Sequence, residues 1–363
     1  MPSLQKLLFF ASFGLAARPF LNEPDTGIED ALPIVNGTFP PLDRILGLPD
    51  FDYVARHVLD PFTYALVCHG AGSEGSYRNN LEVFDRFRFR PRVMVNITGI
   101  DASLKTSILG HEFDVPFFIS PFANAGGTHE SAERGLVEAA AAHEMLPSQM
   151  STLPMEKIAS FKAKNQVLWQ QVSLSSFEDE SPRDLFKSIE DAGMEAIVLT
   201  VDSAADRTAY RPISQSRPSQ SFRRAFKPSR TLVRPLKLAR QQSSCRIMVG
   251  RSLDGSPSPL EVAWEIHEQD PSIFEEVEVY ADGGVRYGTD VLKFLALGAR
   301  AVGLGRPFMY ANLYSTDGIS RAMSLLTDEI TSAGANIGLA DLKDVDASYL
   351  SGRYPKFKAL LIS

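Results

Sequence analysis

The fold is decided by Ala281-Asp282-Gly283-Gly284-Val285-Arg286 and, one βα unit later, by Gly303-Leu304-Gly305-Arg306-Pro307. Both stretches come at the end of short apolar runs that are predicted as strands. Glycine lets the backbone approach a ligand closely, and the arginine in each stretch offers a charged fork for phosphate. In (β/α)8 barrels the loops after the last two strands commonly hold a phosphate group. The two stretches therefore predict a phosphate site at the end of such a sheet.

Upstream of these stretches, short apolar runs alternate with amphipathic segments from about residue 115 onward. This pattern is typical of parallel strands covered by helices. The predicted strands are Val115–Ser120, Gln166–Gln171, Ala196–Val201, Val277–Ala281 and Ala301–Gly305, and the predicted helices include Glu130–His143, Pro182–Ala192 and Val291–Leu297. Periodicity indicates an α/β fold but does not distinguish a doubly wound sheet from a closed barrel.

Composition excludes several classes of protein. The chain has 363 residues, of which 44% are hydrophobic and 22% charged, so it can bury a large core and is not a disordered protein. Its 37 Lys+Arg and 44 Asp+Glu give a net charge of -7, which is unlike a nucleic-acid binder. The two cysteines, Cys68 and Cys245, provide neither a disulfide framework nor the ligand spacing of a metal site.

The N-terminus resembles a secretory signal peptide. Lys6 precedes an apolar run over residues 7–17 that ends in small residues. We expect residues 1–20 to be this signal and the protein to enter the secretory pathway. An uncleaved amphipathic start, with a cytoplasmic protein, is the alternative. No run reaches the length that a membrane-spanning helix requires, so we expect no membrane span.

A basic segment interrupts the βα pattern. Twelve Lys and Arg residues, and no acidic residue, lie between Asp206 and Asp254, and serine and proline are frequent in the first half. Low-complexity composition of this kind, in the basic segment 207–245, favours a solvated loop until about Thr231 rather than a patch that binds an anionic partner. Within this segment, Leu232 to Leu238 is predicted as a short helix.

The motifs resemble those of the FMN-dependent α-hydroxy-acid dehydrogenases and oxidases, which include glycolate oxidase, lactate oxidase and the flavin domain of flavocytochrome b2. The resemblance rests on 282–299 and 303–307, and extends upstream to Phe89-Arg90-Pro91-Arg92-Val93, Gly110–Pro116, Ser120-Pro121-Phe122-Ala123 and Leu199-Thr200-Val201-Asp202. It implies a (β/α)8 TIM barrel at residues 51–345, interrupted by 207–245. Residues 21–50 are then an N-terminal extension and 346–363 a C-terminal tail.

The resemblance also implies FMN as cofactor and a set of residues that bind it. Pro121, Phe122 and Ala123 match the loop that meets the flavin through backbone groups. Ser151, Gln170 and Thr200 match the polar strand ends that hydrogen-bond the flavin ring. The phosphate and ribityl positions are Asp282, Gly283, Gly284, Val285, Arg286, Gly305 and Arg306. Many members of the family form tetramers, which implies a homo-oligomer.

The substrate side departs from the family pattern. Met248 stands where the family has the histidine that accepts the substrate proton, and a thioether cannot accept that proton. Leu66 and Val172 replace the two tyrosines, whereas Arg251 survives as a carboxylate anchor. The family's fifth strand has no counterpart in the basic segment. We therefore expect a barrel that is incomplete around the fifth strand and has no catalytic residue at the base position.

These observations predict an FMN-dependent oxidoreductase acting on a small or medium carboxylate, with ordinary hydroxy-acid oxidation impaired. Two alternatives remain open. The chain is a catalytically degenerate protein that binds flavin or a partner, or residues 207–249 come from misjoined sequence and the true product retains the histidine.

Overall fold

A computed structural model describes residues 32–34, 38–143, 145, 147–149, 153–173, 181–200, 231–235, 244–247 and 253–352. It contains twelve strands within these ranges. The strands are β1 (Phe87–Phe89), β2 (Thr106–Ile108), β3 (His111–Phe113), β4 (Phe117–Ile119), β5 (Ser148–Gln149), β6 (Trp169–Ser173), β7 (Ala196–Thr200), β8 (Thr231–Pro235), β9 (Ser244–Ile247), β10 (Val279–Asp282), β11 (Ala301–Leu304) and β12 (Leu350–Gly352). The predicted signal peptide at residues 1–20 lies outside the described residues.

The helices lie mostly between the strands, as the βα pattern predicts. They are α1 (Leu48–Val58), α2 (Pro61–Cys68), α3 (Gly75–Glu82), α4 (Glu133–Ala142), α5 (Met155–Ala159), α6 (Pro182–Asp191), α7 (Pro259–Gln269), α8 (Ile273–Glu276), α9 (Gly288–Ala296), α10 (Arg306–Ala311) and α11 (Ser315–Asn336). The predicted strands at β4, β6, β7, β10 and β11 and the predicted helices at α4, α6 and α9 are confirmed, with small shifts of their ends. No helix in the described ranges is long and apolar enough to cross a membrane.

Eight of the strands form one sheet in the order β4-β11-β10-β9-β8-β7-β6-β5. Its two outer members are linked by a parallel bridge between Ile119, in β4, and Pro147, next to β5. The pairs β5–β6, β6–β7, β9–β10, β10–β11 and β11–β4 are parallel, so their carboxyl ends meet at the same edge. The structure therefore has an α/β fold with the two glycine-rich stretches at that edge.

β8 lies where the sequence predicts that the family's fifth strand is missing. It pairs with both β7 and β9, but it runs antiparallel to each of them. Within the described residues no parallel strand lies between β7 and β9, and an antiparallel strand pairs there instead. The predicted helix from Leu232 is wrong, because a strand covers residues 231–235. A reversed strand still pairs its backbone N–H and C=O groups with both neighbours. The backbone groups of β7 and β9 therefore have hydrogen-bond partners that a gap in the sheet would not supply.

One end of the sheet is covered by the hairpin of β2 and β3. Ile108 and Phe113 of the hairpin belong to a hydrophobic cluster with Phe118, Trp169 and Tyr280 from the sheet. The Leu109 N–H donates to Glu278, directly before β10. The hairpin thus covers the amino ends of the strands and leaves the carboxyl ends to form the site.

The folded unit extends beyond residues 51–345. Ile45 and Leu48 on one side, and Tyr349 and Leu350 on the other, are buried in the main hydrophobic core. β12 pairs antiparallel with β1. The described parts of the predicted extension and tail therefore belong to the same core as the sheet.

The start of α9 is held by Glu329 of α11, and we expect it to make stability depend on pH. The Gly288 N–H donates to Glu329 Oε2 at 2.7 Å. Burial raises the pKa of Glu329 to about 7, with the Gly288 bond opposing it and Asp290 and Asp50 adding to it. A raised pKa means that the carboxyl group favours folding at low pH, and that this contribution is lost as pH rises from about 4.5 through about 7.

Glu329→Gln keeps an oxygen for the Gly288 N–H and removes the charge. We expect thermal melts to show this variant more stable than the wild type at pH 8, by about 1–2 kcal/mol after allowing for partial exposure, and similar at pH 5. Asp328→Asn on the same helix is the control for a simple change in net charge. Equal stabilisation by Glu329→Gln at both pH values would contradict this account.

Candidate functional site

The four glycines of the two stretches differ in what surrounds them. A Cβ on Gly284 would lie 1.9 Å from the Asn80 backbone oxygen, and one on Gly303 would lie 2.3 Å from Ser120 Oγ. A Cβ on Gly305 would meet nothing within 4 Å. Gly284 and Gly303 are therefore required by close packing, whereas Gly305 borders open space next to the first residue of α10.

Gly283 and Gly284 also shape the turn that follows β10. Their φ angles are 128° and 78°, values that residues with a side chain rarely adopt. The turn carries the chain from Asp282, which is buried at the end of β10, to Arg286. Val285 between them is 2% exposed and packs into the core.

Arg286 is fixed by the first turn of α9. Its backbone N–H donates to Asp290 Oδ2 at 3.0 Å, and its Nη1 donates to the Val285 oxygen at 3.2 Å. Burial alone would lower the pKa of Arg286, but neighbouring tyrosines and Asp52 outweigh it and raise that pKa. The guanidinium is thus a permanent positive charge in a partly closed environment.

Arg306 begins α10 and stacks on an aromatic ring. Its guanidinium carbon lies 4.3 Å from the centroid of the Tyr77 ring. Its Nη1 is buried and has no hydrogen-bond partner among the described residues. Because a buried charged donor without an acceptor is costly, this nitrogen marks a place for an anionic ligand.

A polar aromatic cluster lies beside the two arginines. Tyr64 donates to Asp52 Oδ1 at 3.0 Å, and Arg56 Nε donates to the Tyr64 hydroxyl at 3.3 Å. The Tyr310 ring stacks on Tyr64 with centroids 6.2 Å apart. Burial raises the pKa of Tyr310 well above its usual value, so its hydroxyl stays neutral. The sequence pattern does not indicate this cluster, because Tyr310 comes from α10, far along the chain from α1 and α2.

At the ends of β6 and β7, the structure brings together Gln171 and Thr200 rather than Gln170 and Thr200. Gln171 Nε2 donates to Thr200 Oγ1 at 2.6 Å, whereas Gln170 Nε2 donates to the Gln171 oxygen. Trp169 packs inside the sheet against Phe118, and residues two apart on a strand share a face. Gln171 therefore shares the inner face with Trp169. The alternation of Trp169 and Gln171 was the signal that could have identified it.

Apolar residues flank Gln170 on the outer face of β6. Leu168 and Val172 belong to a cluster with Ile158, Leu185 and Ile189 on the covering helices. Gln170 lies between Leu168 and Val172 on that face and is 5% exposed. Val172, which stands where the family has a tyrosine, therefore packs against the covering helices.

The loop after β4 contributes residues at the same edge of the sheet. Ser120 is 1% exposed, and its hydroxyl has no hydrogen-bond partner within the described ranges. Pro121 and Ala123 are more accessible, and Phe122 is 8% exposed. Ser151, Met248 and Arg251 lie outside the described residues.

These residues fit a phosphate monoester attached to a larger polar group. Arg306 Nη1 lacks a partner within the described part of the chain, Gly305 borders open space, and Arg286 adds a second positive charge. Charge-assisted hydrogen bonds from arginine suit phosphate well. The Gln171–Thr200 pair and Ser120 supply polar groups at the other strand ends.

Comparison with known proteins agrees with this chemistry. The family model described as FMN-dependent dehydrogenase matches residues 55–244 and 249–352. The chain is 30% identical over 86% of its length to the L-lactate dehydrogenase (cytochrome) of Saccharomyces cerevisiae and 30% identical over 88% to a peroxisomal (S)-2-hydroxyacid oxidase of Arabidopsis thaliana. It spans 61% of the yeast enzyme and 100% of the plant one.

Solved structures give the same result. A mutant flavocytochrome b2 with pyruvate bound superposes with a TM-score of 0.73 at 28% identity, over 86% of this chain and 88% of that one. The family match covers well over half of the chain, on both sides of residues 245–248. The chain belongs to the FMN-dependent dehydrogenases, a family of flavin oxidoreductases.

Proposed function

We propose that this protein binds FMN and oxidises a small or medium carboxylate substrate. The observation that carries the proposal is the buried Nη1 of Arg306, which has no partner in the described part of the chain and lies next to the open space at Gly305. An anion with several acceptor oxygens meets this need. The family to which the chain belongs supports FMN as the molecule that carries the phosphate.

Each group of residues has a separate task in this proposal. Arg306, Arg286 and the backbone at 283–285 and 305 would hold the phosphate and the ribityl chain. Gln171, Thr200 and Ser120 would meet the polar edge of the flavin ring beside the loop 121–123. FMN supplies, when bound, the acceptor for two electrons. The protein's part is to fix it, exclude water and orient the substrate.

On the substrate side, we propose Arg251 as the anchor for a carboxylate. Arginine pairs with a carboxylate through two parallel hydrogen bonds, which fixes orientation as well as affinity. The family relatives are named for lactate and 2-hydroxy acids, which supports a carboxylate of that size. With Met248 at the base position, the proton of a hydroxy-acid substrate would have to leave to water or to another group.

A second function, flavin binding without turnover, is favoured by one observation. The family match breaks at residues 245–248, a run that ends at the base position, and β8 next to it is reversed. The break in the family match and the reversed strand both lie close in sequence to Met248 and Arg251, the residues proposed for the substrate side. The phosphate half, from 282 to 306, lies within the matched residues.

For the fold, we propose a (β/α)8-type barrel closed between β4 and β5, in which β8 fills the fifth position in reverse. The bridge between Ile119 and Pro147 supports closure. Entry into the secretory pathway remains a proposal from residues 1–20 alone.

Purified protein tests both functions. We expect an absorbance band near 450 nm, and a Kd for FMN that can be measured by quenching of flavin fluorescence. Anaerobic mixing with a panel of 2-hydroxy acids then separates the two functions, since bleaching supports the oxidoreductase and bound flavin that stays oxidised supports the second function. Folded protein that binds no FMN would refute both.

A further inference from the structure

We propose that Tyr77 of α3 is a positioning residue for Arg306, and that its ring holds the guanidinium in the place where it binds a phosphate monoester. This inference rests on the proposed function, since it concerns the same phosphate site. It assigns a task to a residue outside the glycine-rich stretches and outside the sheet.

The Arg306 guanidinium and the Tyr77 ring are in direct contact. The Arg306 guanidinium carbon is 4.3 Å from the Tyr77 centroid, well within the range of a cation–π interaction. The guanidinium carbon lies over the ring, and an N–H group of the guanidinium that points away from the ring can still donate to an acceptor. The buried Nη1 of Arg306, without a partner among the described residues, is consistent with that arrangement. The ring therefore orients the arginine without occupying the donors that a phosphate needs.

The Tyr77 ring is held in place by its surroundings. Tyr77 is 2% exposed, and a Cβ on Gly70 would lie 2.7 Å from its Cβ. The loop before α3 is fastened by Asp254, which accepts from Ser73 Oγ at 2.6 Å and from the Ser76 N–H at 2.8 Å.

Further along α3, Asn79 Nδ2 donates to Glu261 Oε2 at 2.7 Å. The helix is therefore held at both its start and its middle by residues 254–261. A ring on such a helix is a fixed platform, whereas a long arginine side chain alone would lose rotamer freedom on binding.

Tyr77 lies beside Arg286 as well as Arg306. Burial lowers the pKa of Arg286, and Tyr77 is one of the neighbours whose proximity opposes that effect. The same ring thus lies beside both arginines of the site. Its removal should weaken binding of the phosphate more than binding of the flavin ring.

The experiment compares FMN with riboflavin, which lacks the phosphate. We expect Tyr77→Leu to raise the Kd for FMN about tenfold, equivalent to about 1.4 kcal/mol, and to leave the Kd for riboflavin unchanged. Tyr77→Phe, which keeps the ring, should keep the wild-type ratio of the two constants. Flavin fluorescence quenching measures both constants without any need for turnover.

Phe87→Leu is the matched control for loss of a buried aromatic ring. Phe87 is 1% exposed and packs against Trp264, with centroids 5.3 Å apart. We expect it to lower the melting temperature and preserve the ratio of FMN to riboflavin affinity. If Tyr77→Leu does not fold, Tyr77→Met carries the same test with a side chain of similar length and no ring.

An equal rise of both constants in Tyr77→Leu would overturn the inference, since a structural defect affects the two ligands alike. An unchanged Kd for FMN in that variant would also overturn it. Neither result touches the proposed function, which fails only if the wild-type protein does not bind FMN.

Discussion

Replacing Arg306 by alanine is expected to raise the Kd for FMN by about 100-fold. A hydrogen bond to a charged group contributes about 1.5–3 kcal/mol, and loss of the bond from Nη1 at the upper part of this range, about 2.7 kcal/mol, corresponds to the 100-fold change. Loss of this side chain also removes the partner of the Tyr77 ring. Titration of apoprotein with FMN, followed by fluorescence, measures the effect. Riboflavin should bind the variant about as well as the wild type.

Arg134→Ala is a suitable control for this prediction. Arg134 is on α4 and pairs with Glu138 at 2.7 Å on the surface, so its removal changes net charge by the same amount. We expect it to leave the FMN constant unchanged. If Arg306→Ala bound FMN as tightly as the wild type, the phosphate site would have to lie elsewhere.

The second large effect concerns residue 248. We expect Met248→His to accelerate reduction of bound FMN by a 2-hydroxy acid by about 10²–10⁴-fold, because a positioned general base typically contributes that much. The wild-type rate should be correspondingly low with the same substrate. Stopped-flow absorbance at 450 nm under anaerobic conditions measures both rates.

Met248→Asn is the matched control, since asparagine is polar and of moderate size but does not accept a proton at neutral pH. We expect this variant to remain as slow as the wild type. Fast reduction of the wild type would refute the assignment of Met248 to the base position. Slow reduction of all three proteins would instead favour flavin binding without turnover.

The positions of the two glycine-rich stretches were predictable from local sequence. The runs before 282 and 303 are apolar and short, and the glycines and arginines follow them directly, so their place at the ends of β10 and β11 followed from the strand pattern. The same holds for the helix after Gly288, whose acid at 290 accepts from the N–H groups of Arg286 and Tyr287. Capping and periodicity are local properties, and this is why they were sufficient here.

The inner face of β6 was not predictable in the same way. A run such as Leu168-Trp169-Gln170-Gln171-Val172 is buried on both sides, so its pattern leaves open which residues face inward. Contact of Trp169 with Tyr280, 5.9 Å between centroids, decides the question. Because side chains alternate between the two faces of a strand, an error of one residue in assigning the inner face puts Gln170 there instead of Gln171.

From the sequence alone came the α/β class, the strands at β4, β6, β7, β10 and β11 with the helices at α4, α6 and α9, and the prediction of a phosphate site at Arg286 and Arg306. Only the tertiary structure decided that Gly284 is required by Asn80 while Gly305 borders open space, that β8 runs in reverse, and that Tyr77 lies under Arg306. The physical reason is the range of the forces involved. Propensity, capping and turns act over a few residues, whereas these contacts join segments that meet only when the whole core is packed.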